Sequence, residues 1–366
     1  MRVLHVRRSL GVGGSETYIA SLCPGLMELG HEVALCCPPG SWLSWAVGGV
    51  GVPILHNALR NRVMGGGWLS RLRLLYQARA FAPDLIHSHH PVDTRFADWV
   101  ARRLRKPLVR TVHDLHPGPT VGCAQALIAV SRAVAEATRK EHPDAPWPVV
   151  VHNGVDTQRF RPASPEDRRK WRCRHGVPLS VPLLGAVSRL APVKRHDLLL
   201  TVLQQVPDAW LVVAGDGRPR YRRQLQGLAR SLGVAERVRF LGTVHDTPSA
   251  FAAVDLLAHT AEEEAFCLSA IEAMACAVPV VAFAVGGLPE VVESGVTGEL
   301  LAPCDVGAFT AAVTKLLADP FRLRTLGEAA RRRVVTHFGQ ERLVAGVERV
   351  YLGVAGSKGV THPEPV

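Results

Sequence analysis

The chain has 366 residues, 47% of them hydrophobic, and a formal net charge of +11, so it has room for two domains of ordinary size and a sizeable buried core. Its 33 glycines and 26 prolines are scattered rather than periodic, which excludes collagen-like and low-complexity chains. Eight cysteines without a CxxC pair fit a reduced, cytoplasmic protein, and MRVLHVRRSLGVGG has no long apolar stretch before its arginines, so no signal peptide is expected.

Taken in chain order, RVLHV reads as a strand and LGVGG as a glycine loop. SETYIASLCPGLMELG follows as a helix with a glycine stop, and HEVALCC as a second strand. Strand, loop, helix, strand is a βαβ unit, the building block of a parallel sheet with ligand sites at the carboxyl ends of its strands. Between Glu32 and Asp84 there is no acid, while Arg60, Arg62, Arg71, Arg73 and Arg79 share the segment with Trp42, Trp45 and Trp68. Two readings stand: a surface for an anionic membrane or phosphorylated lipid acceptor, or a helix packed through Leu72, Leu75 and Tyr76 with its arginines in water. Most of the positive field lies in this half, since residues 1–165 carry 19 Lys and Arg against 11 Asp and Glu. DLIHSHH (84–90), PLVRTVH (107–113), ALIAVS (126–131) and VVVHNGVD (149–156) read as further strands.

Residues 157–180 are charged and contain prolines, as expected of a connector. The α/β rhythm then restarts. Strands are expected in PLLGAVSRL, AWLVVAGDG, VRFLGTV, DLLAHT and PVVAFA, and helices near 196–206, 219–232, 248–253 and 307–318. The uncharged run 273–289 is interrupted by Pro279 and Gly286-Gly287 and is shorter than the roughly 20 residues a spanning helix needs, so it reads as a buried helix end, a turn and a strand. QERLVAGVERVYLGV (340–354) is an amphipathic helix, and a disordered tail is expected over 355–366. The expected division is an N-terminal α/β domain over 1–165 with helix 340–354, and a C-terminal one over 178–338.

Several loops carry candidate chemistry. GVGG (11–14) opens a helix and reads equally as a phosphate cradle or a tight turn; Glu16 stands where a dinucleotide fingerprint needs its last glycine. Arg189 and Lys194 follow a strand at the carboxyl edge of the sheet, where two cations suit a diphosphate or are simply exposed. Glu264 and Glu272, with seven residues between them, bracket the start of a helix that offers unpaired N–H donors, and carboxylates suit vicinal hydroxyls of ribose or sugar.

The run EEEAFCLSAIEAMACAVPVVAFAVGGLPEVVESGVTGELL resembles the nucleotide-binding signature of retaining glycosyltransferases of family 4. GVGGSE, TVHD (111–114), AVS (129–131), HNGVD (152–156), VSRLAPVKRHDLL, VVAGDG and RVRFLGTV carry the resemblance further, in family order from residue 1 to about 353. It implies a GT-B fold, two Rossmann-like parallel-sheet domains facing across a cleft, with a C-terminal helix crossing back to the first. It also implies a catalytic set of His113, Glu264, Arg189 and Lys194. Donor contacts would come from Gly13, Gly14, Val244, Phe266, Cys267, Leu268 and Glu272. In that scheme Arg189, Lys194 and the Gly14 backbone hold the diphosphate and Glu272 the ribose. Val244 lies near the base, and Glu264 with the amides of Phe266, Cys267 and Leu268 grips the sugar, which His113 faces from the first domain. Ala265 and Ala277 stand where the family often has glycine and would narrow the approach to the sugar.

The resulting expectation is a retaining transferase moving a sugar from a nucleotide-diphosphate donor to a lipid-linked or cell-surface glycan acceptor, in lipopolysaccharide or exopolysaccharide assembly. It would be cytoplasmic, and on the membrane reading of its basic segment peripheral at the membrane face. No metal or other cofactor is expected, since the chain has no DxD, and no nucleic-acid partner. The alternatives are an epimerase or phosphorylase on the same scaffold, and a non-catalytic anionic-lipid binder.

Overall fold

The computed structural model describes residues 1–58, 66–244 and 246–356. The chain divides into two α/β units, one of residues 1–154 with the chain from Gln340 on, the other Val155–Gly339.

The first unit starts with β1 (Arg2–Val6), α1 (Gly14–Glu28), β2 (Glu32–Cys37), α2 (Trp42–Gly48), β3 (Ile54–His56) and α3 (Gly66–Phe81). It continues with β4 (Leu85–Ser88), α4 (Pro91–Leu104), β5 (Leu108–Val112), β6 (Ala126–Ala129), α5 (Arg132–Glu141) and β7 (Val149–Val150). Its strands run parallel in the order β3-β2-β1-β4-β5-β6-β7. Parallel strands covered on both faces read as continuous apolar runs, which is why VLHV, VALCC and LIHS were recognisable. Helix starts follow local chemistry: Ser41 and Ser131 hydroxyls accept from Ser44 and Val134 amides, and the His90 ring from the Val92 amide.

The second unit comprises α6 (Pro165–Arg174), β8 (Leu183–Val187), α7 (His196–Gln205), β9 (Trp210–Ala214), α8 (Pro219–Ser231), β10 (Val238–Gly242) and α9 (Thr247–Ala253). Then come β11 (Leu256–His259), α10 (Leu268–Ala275), β12 (Val280–Phe283), α11 (Leu288–Val291), β13 (Gly298–Leu301), α12 (Val306–Leu317) and α13 (Pro320–His337). The sheet order is β10-β9-β8-β11-β12-β13. Both sheets reverse direction of growth beside their first strand, at β1/β4 and at β8/β11, and ligands of open α/β sheets bind at the carboxyl ends beside such a switch. The last helix, α14 (Gln340–Gly356), returns to the first unit. Leu343, Val344, Val347 and Tyr351 enter its core, and the His31 ring meets the Glu348 carboxylate at 2.9 Å.

Four expectations are corrected here. The supposed connector holds α6, and it belongs to the second unit: Arg168 and Arg172 both reach the Asp255 carboxylate, at 2.5 and 2.8 Å, and Trp171 is buried. Residues 155–165, expected in the first domain, fall in the second unit as well. On α3 Leu75 is buried as expected, but Leu72 and Tyr76 are exposed, and Leu74 and Ala78 complete the buried stripe instead. Ala355 and Gly356 close α14 rather than open a tail; 357–366 lie outside the described residues, as do Arg60 and Arg62.

Ala277 adds a fifth correction. It lies past the C-terminal end of α10, not at the start where a sugar is expected, and its φ of 58° is left-handed. A β-carbon in that region costs roughly 1 kcal/mol. Ala277→Gly is therefore expected to raise the unfolding free energy by about 0.5–1 kcal/mol without touching ligand binding, read by denaturant titration and donor affinity side by side.

Candidate active site

The second unit assembles its site from loops at the carboxyl ends of neighbouring strands. After β8 the chain passes Ser188 and Arg189, makes a short turn through Lys194, and enters α7 from Arg195 in a left-handed conformation, φ 49°. The loop after β9 lies directly against it. Gly215, at φ 136°, has no room for a β-carbon, which would fall 1.9 Å from the Ser188 carbonyl oxygen. This explains VVAGDG physically, since only glycine lets the two loops share the sheet edge.

After β11, the loop 260–267 leads to α10, and Gly287 props it from behind: the Gly287 amide donates to the Glu264 carbonyl at 2.9 Å, and a β-carbon there would lie 2.4 Å from the Ala265 oxygen. Cys267 precedes the helix at φ 82° and supplies no side-chain cap, so the start of α10 is not closed by its own sequence. The strain sits at the expected sugar-facing position.

The Glu264 carboxylate is the hub. One of its oxygens accepts from the Lys194 ammonium at 2.6 Å and meets the His259 Nε2 at 2.9 Å, while the Cys267 sulfur lies 3.8 Å from the same nitrogen. Burial alone would raise this carboxyl, yet the hydrogen bond and charge of His259, joined by Lys194, hold it down at about 2. His259 is held up at about 10 by Cys267 and Glu264 against the opposing cost of burial. Lys194 and His259 thus share one carboxylate just ahead of α10. Arg189, on the loop after β8 that also carries Lys194, is exposed, and its guanidinium makes no hydrogen bond or ion pair among the described residues. His259, Glu264 and Cys267 also offer three potential metal-ligand atoms within 4.8 Å of one another, although the His259 and Glu264 atoms are already hydrogen-bonded to each other.

Glu272 stands a turn into α10, half-buried and without a hydrogen bond from its carboxylate among the described residues. The surrounding apolar packing raises its carboxyl to about 8, with Arg159 pulling the other way. An acid kept without protein partners is free for hydroxyls of a ligand. Val244 follows β10 and is half-buried, and Phe266 and Leu268 flank Cys267 at the helix start.

The first unit carries Gly13, Gly14 and His113. Gly14 is the first residue of α1, and Gly13 before it is extended, φ −158°, with no side-chain cap. Sequence reasoning missed what fixes this loop: Arg7, buried at the end of β1, donates to Glu16 at 2.8 Å, to Asp93 at 3.1 Å and to Ser15 at 3.0 Å, tying the starts of α1 and α4 together. His113 follows β5, half-buried, its Nε2 3.3 Å from the His89 Nδ1. His259 and the histidines behind His113 were also missed. Their signal was a histidine in otherwise apolar strands, repeated in LHV, IHSHH and LAH.

With this geometry in view, the comparisons are direct. Residues 12–159 match the family described as Glycosyltransferase Family 4, and residues 167–333 match Glycosyl transferases group 1. The chain belongs to the family 4 glycosyltransferases and has the GT-B fold. Over 284 residues it is 35% identical to the D-inositol 3-phosphate glycosyltransferases of Mycobacterium bovis and Mycobacterium tuberculosis, a match spanning 69% of this chain and 58% of the length of those relatives. The crystal structure of Anabaena Alr3699/HepE in complex with UDP-glucose superposes with a TM-score of 0.88 at 25% identity, covering 96% of this chain and 99% of that one. The sucrose-phosphate synthase of Thermosynechococcus elongatus superposes with a TM-score of 0.80 at 22% identity, covering 96% of this chain and 98% of that one.

Proposed function

We propose that this protein is a glycosyltransferase that moves a sugar, with retention of configuration and without a metal ion, from a nucleotide-diphosphate donor to a glycan or lipid-linked acceptor. The observation that carries it is the shared carboxylate: Lys194 and His259 converge on Glu264 ahead of α10, with Arg189 exposed on the Lys194 loop and Glu272, in α10, without a hydrogen bond from its carboxylate among the described residues. As the donor's bond breaks, negative charge grows on the diphosphate, and cations held in place beforehand stabilise it without reorganising. Glu272 accepts from the ribose, Glu264 and the amides at Phe266, Cys267 and Leu268 face the sugar, and Val244 lies by the base. In the first unit, His113 and the Gly13–Gly14 backbone are the groups suited to a sugar hydroxyl and a phosphate. The Anabaena protein's complex with UDP-glucose supports a uridine donor. An inositol phosphate acceptor, as the mycobacterial relatives' name states for them, is the second reading.

We further propose a cytoplasmic protein working at the membrane face on lipopolysaccharide or exopolysaccharide precursors. Exposed Trp45, Trp68, Leu69, Leu72 and Tyr76 together with Arg73 and Arg79 support the peripheral contact. Among the described residues no helix is long and apolar enough to cross a membrane.

The experiment offers UDP-, GDP- and ADP-sugars to the pure protein, with lipid extract or inositol phosphate, in the presence and absence of EDTA. Transfer should resist EDTA, keep the anomeric configuration of the donor and be lost in Glu272→Ala. Full activity in that variant would remove Glu272 from the site, and abolition by EDTA would remove the metal-free mechanism.

A further inference from the structure

Behind His113 the first unit buries three more histidines, in register across its sheet. His5 of β1 pairs with His87 of β4, and His89 follows one residue past the end of β4. His5, His87 and His89 are all but inaccessible to water, at 0%, 0% and 3% exposure. Their nitrogens are linked one to the next. His113 Nε2 meets His89 Nδ1 at 3.3 Å, and His89 Nε2 meets His5 Nδ1 at 3.0 Å. His5 Nε2 lies 3.5 Å from the Tyr351 hydroxyl of α14, and that hydroxyl is 2.6 Å from His87 Nδ1. His87 Nε2 reaches the Thr111 hydroxyl at 2.8 Å, and Thr111 the Tyr18 hydroxyl at 3.4 Å.

A neutral imidazole has one N–H and one bare nitrogen, and a hydroxyl has one proton to give, so such a chain has only two consistent directions. Burial holds His5 and His113 down at about 3, and His87 and His89 well below the usual range, with Arg7, Arg110 and His90 adding repulsion around His113; the rings are neutral near pH 7. The inner end chooses the direction. Tyr18 is buried, and among the described residues Thr111 is the one polar partner of its hydroxyl. Were the chain to run inward, Thr111 would donate to Tyr18 and the Tyr18 O–H would be buried without an acceptor, which costs more than any of the bonds gained. Running outward, Tyr18 donates to Thr111, Thr111 to His87, His87 Nδ1–H to Tyr351, Tyr351 to His5, His5 Nδ1–H to His89, and His89 Nδ1–H to His113. Every buried proton then has an acceptor.

We propose that this one-way chain, closed at its inner end by Tyr18, locks His113 in the tautomer protonated on Nδ1, so that it presents a fixed hydrogen-bond donor rather than a base. His5, His87, His89, Thr111 and Tyr351 are positioning residues acting through His113. That the donor meets the sugar rests on the functional reading above; the tautomer does not.

The test is long-range ¹H–¹⁵N correlation on the histidine rings of the ¹⁵N-labelled full chain at pH 7.5, which distinguishes protonated from bare ring nitrogens. The native protein should show Nδ1–H and bare Nε2 for His113, His89 and His5. Tyr351→Phe cuts the chain and Thr111→Val removes its inner anchor; either should bring the Nε2–H form into the His113 pattern. A native His113 protonated on Nε2, or a His113 pattern unmoved by both variants, would overturn the proposal. Unchanged transfer in His113→Asn, with the tautomer as described, would instead sink the sugar-facing reading and leave the chain standing.

Discussion

Lys194→Ala is expected to lower kcat/KM for the nucleotide sugar by about 10²–10³-fold while leaving the fold largely intact, whereas Glu264→Ala should lose both activity and stability. The difference follows from who is left behind. Without Lys194, the Glu264 carboxylate keeps its bond to His259. Without Glu264, the buried His259 cation loses its carboxylate partner, and leaving one member of a buried pair uncompensated costs about 3–5 kcal/mol. The rate loss in Lys194→Ala is of the size seen when one preorganised group is taken from a developing negative charge. Initial rates over a range of donor concentrations, with thermal unfolding of each variant, check both halves. Equal unfolding temperatures for the two variants would mean that Glu264 is not the hub.

The second large effect is a loss of stability of the first unit in mild acid. His5, His87 and His89 are held neutral by burial, so below the ordinary histidine value near 6.5 the unfolded chain takes up protons that the folded one refuses. Stability from these rings is fully present above about pH 6.5 and is lost as pH falls towards about 3, where His5 titrates when folded. Each ring contributes roughly 1.4 kcal/mol per pH unit, so three together remove about 4 kcal/mol in the first unit below 6.5, a large share of a domain's stability. Denaturant titrations at pH 7.5, 6.5 and 5.5 should show this slope, and His89→Gln should flatten it by about a third. His196 in the second unit, held down at about 4 mainly by burial, adds a smaller drift of the same sign there.

The βαβ repetition was legible because parallel strands buried on both faces are written as short apolar runs between glycines and prolines, and the donor loops because family motifs sit at fixed places after those runs. Other parts were silent for physical reasons. α6 is charged nearly throughout and holds to its unit through Trp171 and two arginines that reach Asp255 about 85 residues away, contacts that no local pattern encodes. β3 has three residues and β13 four, too few for a period to show. At the site, Arg189, Lys194, Glu264 and Glu272 were named from their motifs, but the bond that makes Glu264 a hub comes from His259, which reads as one more strand residue in DLLAHT. The histidine chain was hidden in the same way. A strand tolerates a neutral imidazole among valines and leucines once other polar atoms meet it, and which atoms those are is settled by register and by α14, not by neighbours in sequence.

That α14 completes the first unit has a consequence for how the molecule is made. Its hydrophobic residues and the hydroxyl of Tyr351 are synthesised after all of Val155–Gly339, so the amino-terminal sheet emerges from the ribosome with one flank uncovered and waits, while the second unit has all its own residues in hand. Biogenesis therefore inverts the order of the gene: the later-encoded body is the first able to finish, and the earlier one closes only once α14 has been made and is free to dock.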